Sequence, residues 1–399
     1  MRRLDPVLSG EVQVTSLDFA TIQQLIDTPH TAILNFFTTD NDTHIFIIYK
    51  DKSPQLHTCT GFGYQALRDL VVNEWLNPYL NKKNDGGIWY TKISDFLQKL
   101  AEKLQLTTLV KNYLTEIEEL IIIPHLFWHQ IPFSALPLTI PTQVNSQPPE
   151  NQSSGMIRQV IETFTRLGGG KKTISCTLPT DTEIVSTQYL GDKFRVRYVP
   201  SSQILQYCQQ RPQLSSIHYG TVENADGTLP NAEFECEQIA KFYNIPANQR
   251  LKGRDQATVS NYRQIAKQVQ VLHSSHHASS RLDSPLESCL ILADGNITLG
   301  QIMSPGFRLP NLSDVFLSCC ETNLGVAGIT DDILSLSTGF LCAGARSVVS
   351  TLWSVDDLAT ALFSIFYYQY CQRGLNRTEA LQQAQVKLRN LSGKIIATE

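Results

Sequence analysis

Two short segments set reactive side chains beside one another. Val271-Leu272-His273-Ser274-Ser275-His276-His277-Ala278 holds three histidines within five positions. Asp314-Val315-Phe316-Leu317-Ser318-Cys319-Cys320-Glu321-Thr322-Asn323 holds two adjacent thiols followed by a polar turn. A thiol becomes a useful nucleophile when a neighbouring imidazole favours the thiolate. Each segment opens with an apolar run too short for a helix, so each reads as a strand delivering its reactive residues at the carboxyl end. His277 acting as general base toward Cys320 is the chemistry this pattern suggests. Against it stands the commonest role of a strand cysteine, that of a small buried apolar residue. The His-x-x-x-His spacing of 273 and 277 would suit zinc on a helix. The strand reading parts the two rings, and no glutamate lies between them. No metal and no cofactor are expected.

The elements that must position these residues come next. From Glu119 onward short apolar runs recur: LIIIP (120–124), FRVRYVP (194–200), SSIHYGT (215–221), VQVLHSS (269–275), CLILA (289–293), DVFLSCC (314–320) and ARSVVSTLW (345–353). Helical patterns such as 231–244 and 257–268 lie between them. Alternating strand and helix predicts an α/β fold whose largely parallel sheet is covered on both faces. Sites in such sheets form at the carboxyl ends of strands, where both reactive segments fall. Residues 1–118 read as a smaller α/β or helical lead-in, with a hairpin over 32–50 and helical periodicity over 64–80 and 93–104. The expected organisation is therefore a lead-in at 1–118, pseudo-caspase-like or accessory, and a catalytic domain at 119–399. A polar, proline-bearing insertion at 138–190 interrupts the second unit. Within it LGGGKK (167–172) lacks the GxxxxGK[ST] spacing and a preceding strand, so no phosphate loop is expected.

Composition sets the class. Apolar residues make up 42% and charged residues 18% of the chain, which suits a large globular core. A net charge of −4 argues against nucleic acid as the main partner. Nine cysteines without CxxC spacing read as reduced thiols in a reducing compartment. MRRLDPVLSGEV has no apolar run behind its arginines, and no stretch approaches the roughly 20 residues that span a bilayer. A cytoplasmic protein without membrane attachment is the expectation.

Several ordered motifs resemble those of the CHAT domain, a caspase-like cysteine peptidase family (clan CD) related to separase. The family's histidine motif, roughly His-Phe-Ala-Thr-His-Gly, is similar to His273-Ser274-Ser275-His276-His277-Ala278. Its cysteine motif, Leu-Ser-Ala-Cys-Glu-Thr, is similar to Leu317-Ser318-Cys319-Cys320-Glu321-Thr322. A small-residue helix from Gly339 to Ala345 and the stretch Leu352-Trp353-Ser354-Val355-Asp356-Asp357 follow in the family's order. Pro132-Phe133-Ser134-Ala135-Leu136, Leu229-Pro230-Asn231-Ala232, Glu235 and Ser284-Pro285-Leu286-Glu287-Ser288 fit upstream. The likeness covers about 120–138 and 194–390, and the lead-in more loosely.

The resemblance implies a caspase-like three-layer sandwich and a cysteine endopeptidase acting on protein or peptide substrates. Cys320 would attack the scissile carbonyl, His277 would move the proton, and the backbone N–H groups of Ala278 and Cys320 would hold the oxyanion. The family has glycine at 278, so alanine there would cost free energy if the position required a positive φ. Cys319 takes an alanine position and reads as a core thiol, His276 takes a threonine position on the wrong side for the thiol, and His273 reads as buried support. Asp357 and Asp356 are candidates for a pocket favouring arginine or lysine, or for the cap of the helix that follows. Asp331 and Asp332 are a cap or part of a closing loop, and Glu321 a residue that orients the turn. A catalytically silent interaction module and a small-molecule acyl hydrolase are the competing readings. An activating partner protein is a further expectation.

Overall fold

The computed structural model describes residues 16–81, 88–138, 188–212, 216–327 and 333–391. LGGGKK (167–172), nearly all of the insertion at 138–190, and Asp331 and Asp332 lie outside the described residues.

Two five-stranded sheets organise the chain. The first comprises β1 (Thr31–Thr38), β2 (Thr43–Tyr49), β3 (Gln55–Cys59), β4 (Glu119–Ile123) and β5 (Arg195–Tyr198) in the order β3-β2-β1-β4-β5. β1 and β2 form the hairpin expected over 32–50, with Thr38 opposite Thr43. β4 runs parallel to both β1 and β5. Leu120 and Ile122 enter one core layer while Ile121 and Ile123 enter the other. A strand apolar on both faces needs neighbours on both edges and cover on both sides. The boundary expected after residue 118 therefore falls inside this sheet. An apolar pentapeptide carries no mark of which sheet it will join.

Helices α1 (Phe19–Gln24), α2 (Tyr64–Val71), α3 (Asn77–Leu80), α4 (Ile88–Lys103), α5 (Leu106–Tyr113) and α6 (Ser202–Gln210) accompany this sheet. A π-helical turn, Val72–Leu76, joins α2 to α3. Trp75, Tyr79, Trp89 and Phe96 gather in the core layer that also receives Leu120.

The second sheet holds the reactive segments. It comprises β6 (Tyr219–Glu223), β7 (Arg250–Lys252), β8 (Val271–Ser275), β12 (Asp314–Leu317) and β13 (Ser347–Val349). The order is β13-β12-β8-β6-β7 and every pairing is parallel. Between β8 and β12 lies a small antiparallel sheet of β9 (Ala278–Ser279), β10 (Cys289–Leu292) and β11 (Gly295–Thr298). The longer helices around it are α7 (Pro230–Tyr243), α8 (Val259–Gln268), α9 (Leu336–Ala343), α10 (Asp357–Gln372) and α11 (Arg377–Arg389).

Period-two alternation sends side chains to opposite layers. Leu272, Val315 and Leu317 pack with Tyr262 and Ile265 of α8 and Phe340 of α9. Val271 and Phe316 pack on the other side with Ile239 of α7, Phe366 of α10 and Ala380 of α11. This is the three-layer α/β sandwich anticipated from sequence. Cutting Leu272 or Leu317 back to alanine would open a cavity costing about 2–5 kcal/mol. Gly220 lets α8 approach β6, since a Cβ there would stand 2.9 Å from Ile265. Among the described residues no helix is long and apolar enough to cross a membrane.

Candidate active site

Parallel pairing of β8 with β12 sets Ser274 opposite Leu317, and the Ser318 amide donates to the Ser274 carbonyl at 2.9 Å. Beyond that bond the two chains leave the sheet side by side. His277 stands three residues past Ser274, and Cys320 three past Leu317. The sheet thus places the two residues past the carboxyl ends of two adjacent parallel strands. Cys320 is half-buried, with its sulfur 3.9 Å from the Val355 carbonyl oxygen.

The other thiol lies on the inner side. Cys319 Sγ is 3.2 Å from the Ser274 carbonyl and 3.9 Å from Nδ1 of His276, and both residues are buried. Burial pushes the Cys319 thiol far up, and burial drives the His276 imidazole down to about 4. His276 Nδ1 lies 2.8 Å from the His277 carbonyl and must donate to it, while Nε2 meets Ser274 Oγ at 2.8 Å. A neutral ring beside a neutral thiol makes no nucleophile.

His277 is held from the side of β6. Its Nε2 lies 2.8 Å from Thr228 Oγ1 and 3.7 Å from Asp226 Oδ2. The Thr228 hydroxyl donates to Asp226 Oδ1 at 2.8 Å, so Oγ1 accepts from Nε2–H of the imidazole. That tautomer, assigned from the hydrogen-bond network, leaves the Nδ1 lone pair for a proton. Burial works against the Asp226 charge, but the Thr228 hydroxyl and amide together with His277 outweigh it, and the carboxyl sits below its ordinary range. Asn224, left-handed at φ 48°, anchors this loop: its amide donates to Ser275 O at 2.9 Å and its side chain accepts from the Leu229 amide at 2.8 Å. Sequence reasoning passed over Asp226 and Thr228. The signal was available, since 224–229 leaves the carboxyl end of the strand beginning near 219.

The candidate oxyanion donor at 278 is extended. Ala278 opens β9 opposite Leu290, and it is not among the residues with positive φ. The Ile291 amide donates to the His277 carbonyl at 2.9 Å, which makes 277/291 the hydrogen-bonded position of that ladder. Ala278, one residue on, directs its N–H away from β10. Alanine therefore carries no backbone strain here.

The turn at Cys320 is laced to the chain beyond β13. Thr351 Oγ1 donates to the Cys319 carbonyl at 2.6 Å, and the Thr351 amide donates to Thr322 Oγ1 at 3.0 Å. Asn323 N donates to Thr351 O at 2.7 Å. Glu321, immediately after Cys320, is left-handed at φ 59°. A bulky residue in that region is uncommon and costs roughly 1 kcal/mol or more, so its partners must hold it.

The two aspartates separate by role. Asp356 is the N-cap of α10, accepting from the Ala359 amide at 2.9 Å. Asp357 is half-buried in the first turn, and its Oδ2 accepts from the Asn231 amide at 3.3 Å. Burial raises its pKa, a shift that the Asn231 bond partly offsets. His273 points to the opposite face from Cys319. Its Nε2 is 2.6 Å from Glu235 Oε1, an approach whose angle falls short of a hydrogen bond, and its ring packs on Phe316 and Tyr368. It supports the strand from below.

The parallel sheet between its two helical layers is a caspase-like α/β fold. The CHAT domain model matches residues 173–394, and the chain belongs to that family. No curated protein matches it in sequence. Among solved structures, the Saccharomyces cerevisiae separase–securin complex is similar in two crystal structures at 11% and 12% identity with TM-score 0.51. Each covers 97% of this chain, which spans only 31% of that one. The Arg-specific cysteine proteinase gingipain R matches at 7% identity and TM-score 0.42, over 76% of this chain and 64% of its own.

Proposed function

We propose that this chain is a cysteine endopeptidase with Cys320 as nucleophile and His277 as general base and acid. The observation that carries the reading is the Asp226–Thr228–His277 chain of contacts at the strand end adjoining that of Cys320. Nδ1 of His277 takes the thiol proton, and the sulfur adds to the scissile carbonyl carbon. The N–H groups of Ala278 and Cys320 receive the oxyanion, each such donor being worth about 10²–10³ in rate. His277 returns the proton to the leaving amine as the C–N bond breaks. Water, deprotonated by the same ring, then cleaves the thioester and restores the thiol.

Asp357 is the proposed acid of the specificity pocket. With Asp356 occupied as a cap, Asp357 is the carboxylate left to attract arginine or lysine before the cut. The second sheet with its helices forms the proposed catalytic unit, and the first sheet an accessory one. A protein that activates or restrains the enzyme is part of the proposal.

Alkylation with iodoacetamide, mapped by peptide mass, tests the reading on wild type, Cys320→Ala and His277→Ala. Stoichiometric labelling at Cys320, slowed in His277→Ala, is expected, followed by cleavage of a peptide library on the carboxyl side of basic residues. Native protein that resists labelling would instead be a silent interaction module. Labelling without any peptide cleavage would favour a small-molecule acyl hydrolase.

A further inference from the structure

We propose that Tyr79, from the accessory unit, is a positioning residue for the nucleophile turn, tying Glu321, the residue after Cys320, to Ser354. This rests on the reading of Cys320 as nucleophile. The Tyr79 hydroxyl donates to Glu321 Oε1 and accepts from the Ser354 amide at 2.8 Å. The Glu321 amide in turn donates to the Trp353 carbonyl at 3.3 Å. Three bonds thus close a ring through one phenol, the residue after the nucleophile and the segment that runs on to Val355, against whose carbonyl the Cys320 sulfur lies.

Tyr79 follows a local irregularity of the helix. The π-helical turn Val72–Leu76 runs directly into α3, and Trp75 and Tyr79 stack with ring centroids 5.8 Å apart. Such turns recur at functional positions. Trp75 and Trp89 also meet Trp353 edge-on, at 5.2 Å and 5.8 Å. Burial, and then the Glu321 carboxylate, push the Tyr79 phenol far up, so it stays a donor wherever the protein is folded. The left-handed Glu321 is therefore secured from outside the catalytic sheet. Released, it would relax and turn the Cys320 sulfur and N–H away from His277.

The test is the pH profile of iodoacetamide alkylation at Cys320 in the full chain, with Cys208 and Cys371 as internal reference thiols. Tyr79→Phe keeps the ring in its aromatic cluster and removes one hydroxyl. It is expected to slow Cys320 labelling about five- to tenfold at neutral pH, the worth of one hydrogen bond, and to move the half-maximal pH upward. Glu321→Ala removes the same bond from the other side without touching the helix, and should give the same loss. The double variant should be no slower than either single one. Glu321→Gln, whose amide oxygen still accepts, should restore most of the rate. A Cys320 profile unchanged in both Tyr79→Phe and Glu321→Ala, or equal slowing of all three thiols, overturns the proposal. Wild-type labelling indifferent to His277→Ala would instead sink the peptidase reading beneath it.

Discussion

Thr228 Oγ1 accepts the Nε2–H of His277 at 2.8 Å while giving its own proton to Asp226. One hydroxyl so selects the imidazole tautomer and points the basic nitrogen away from the loop. Thr228→Val keeps the size and deletes the hydrogen bond, and should lower kcat/KM about tenfold, the value of one such bond. Thr228→Ser should keep most of the activity. A valine variant as active as wild type on the preferred peptide would show that His277 is oriented by something else.

At position 278 the prediction concerns stability. Because Ala278 is extended in β9, glycine gains nothing there conformationally and loses chain entropy. Ala278→Gly should lower the unfolding free energy by about 0.5–1 kcal/mol in urea. At a left-handed position the same change would stabilise, so a rise in stability would contradict the geometry.

The buried His276 makes the fold acid-sensitive. Burial holds this imidazole near 4, against an ordinary value of 6.5. Between those values the unfolded chain binds a proton that the folded chain refuses, so stability rises with pH there and is lost as pH falls. The whole window is worth about 3 kcal/mol. The urea midpoint should fall between pH 6.5 and pH 4, and His276→Thr should flatten that slope. An equal slope in the variant would place the sensitivity elsewhere.

Adjacent thiols should behave oppositely. Cys319→Ala removes a buried sulfur from the layer beneath the site, costing about 1 kcal/mol, and should leave alkylation at Cys320 intact. Cys320→Ala should abolish peptide cleavage with little change in stability. Cleavage that survives Cys320→Ala and disappears in Cys319→Ala would reverse the assignment.

Much of this protein is written locally. Apolar runs such as 271–275 and 314–317, broken by helical periodicity, dictate a covered parallel sheet. The rule that chemistry gathers at the carboxyl ends of such strands points to the segments 273–278 and 319–323. Alternation along a strand likewise separates Cys319 from Cys320. What the chain alone did not decide is which distant segments meet. The membership of 119–123 in the first sheet, the engagement of His277 by Asp226 and Thr228, and the reach of Tyr79 to Glu321 join residues far apart in sequence. Their register is set by packing of whole layers, and packing is a property of three-dimensional shape that no local spacing encodes.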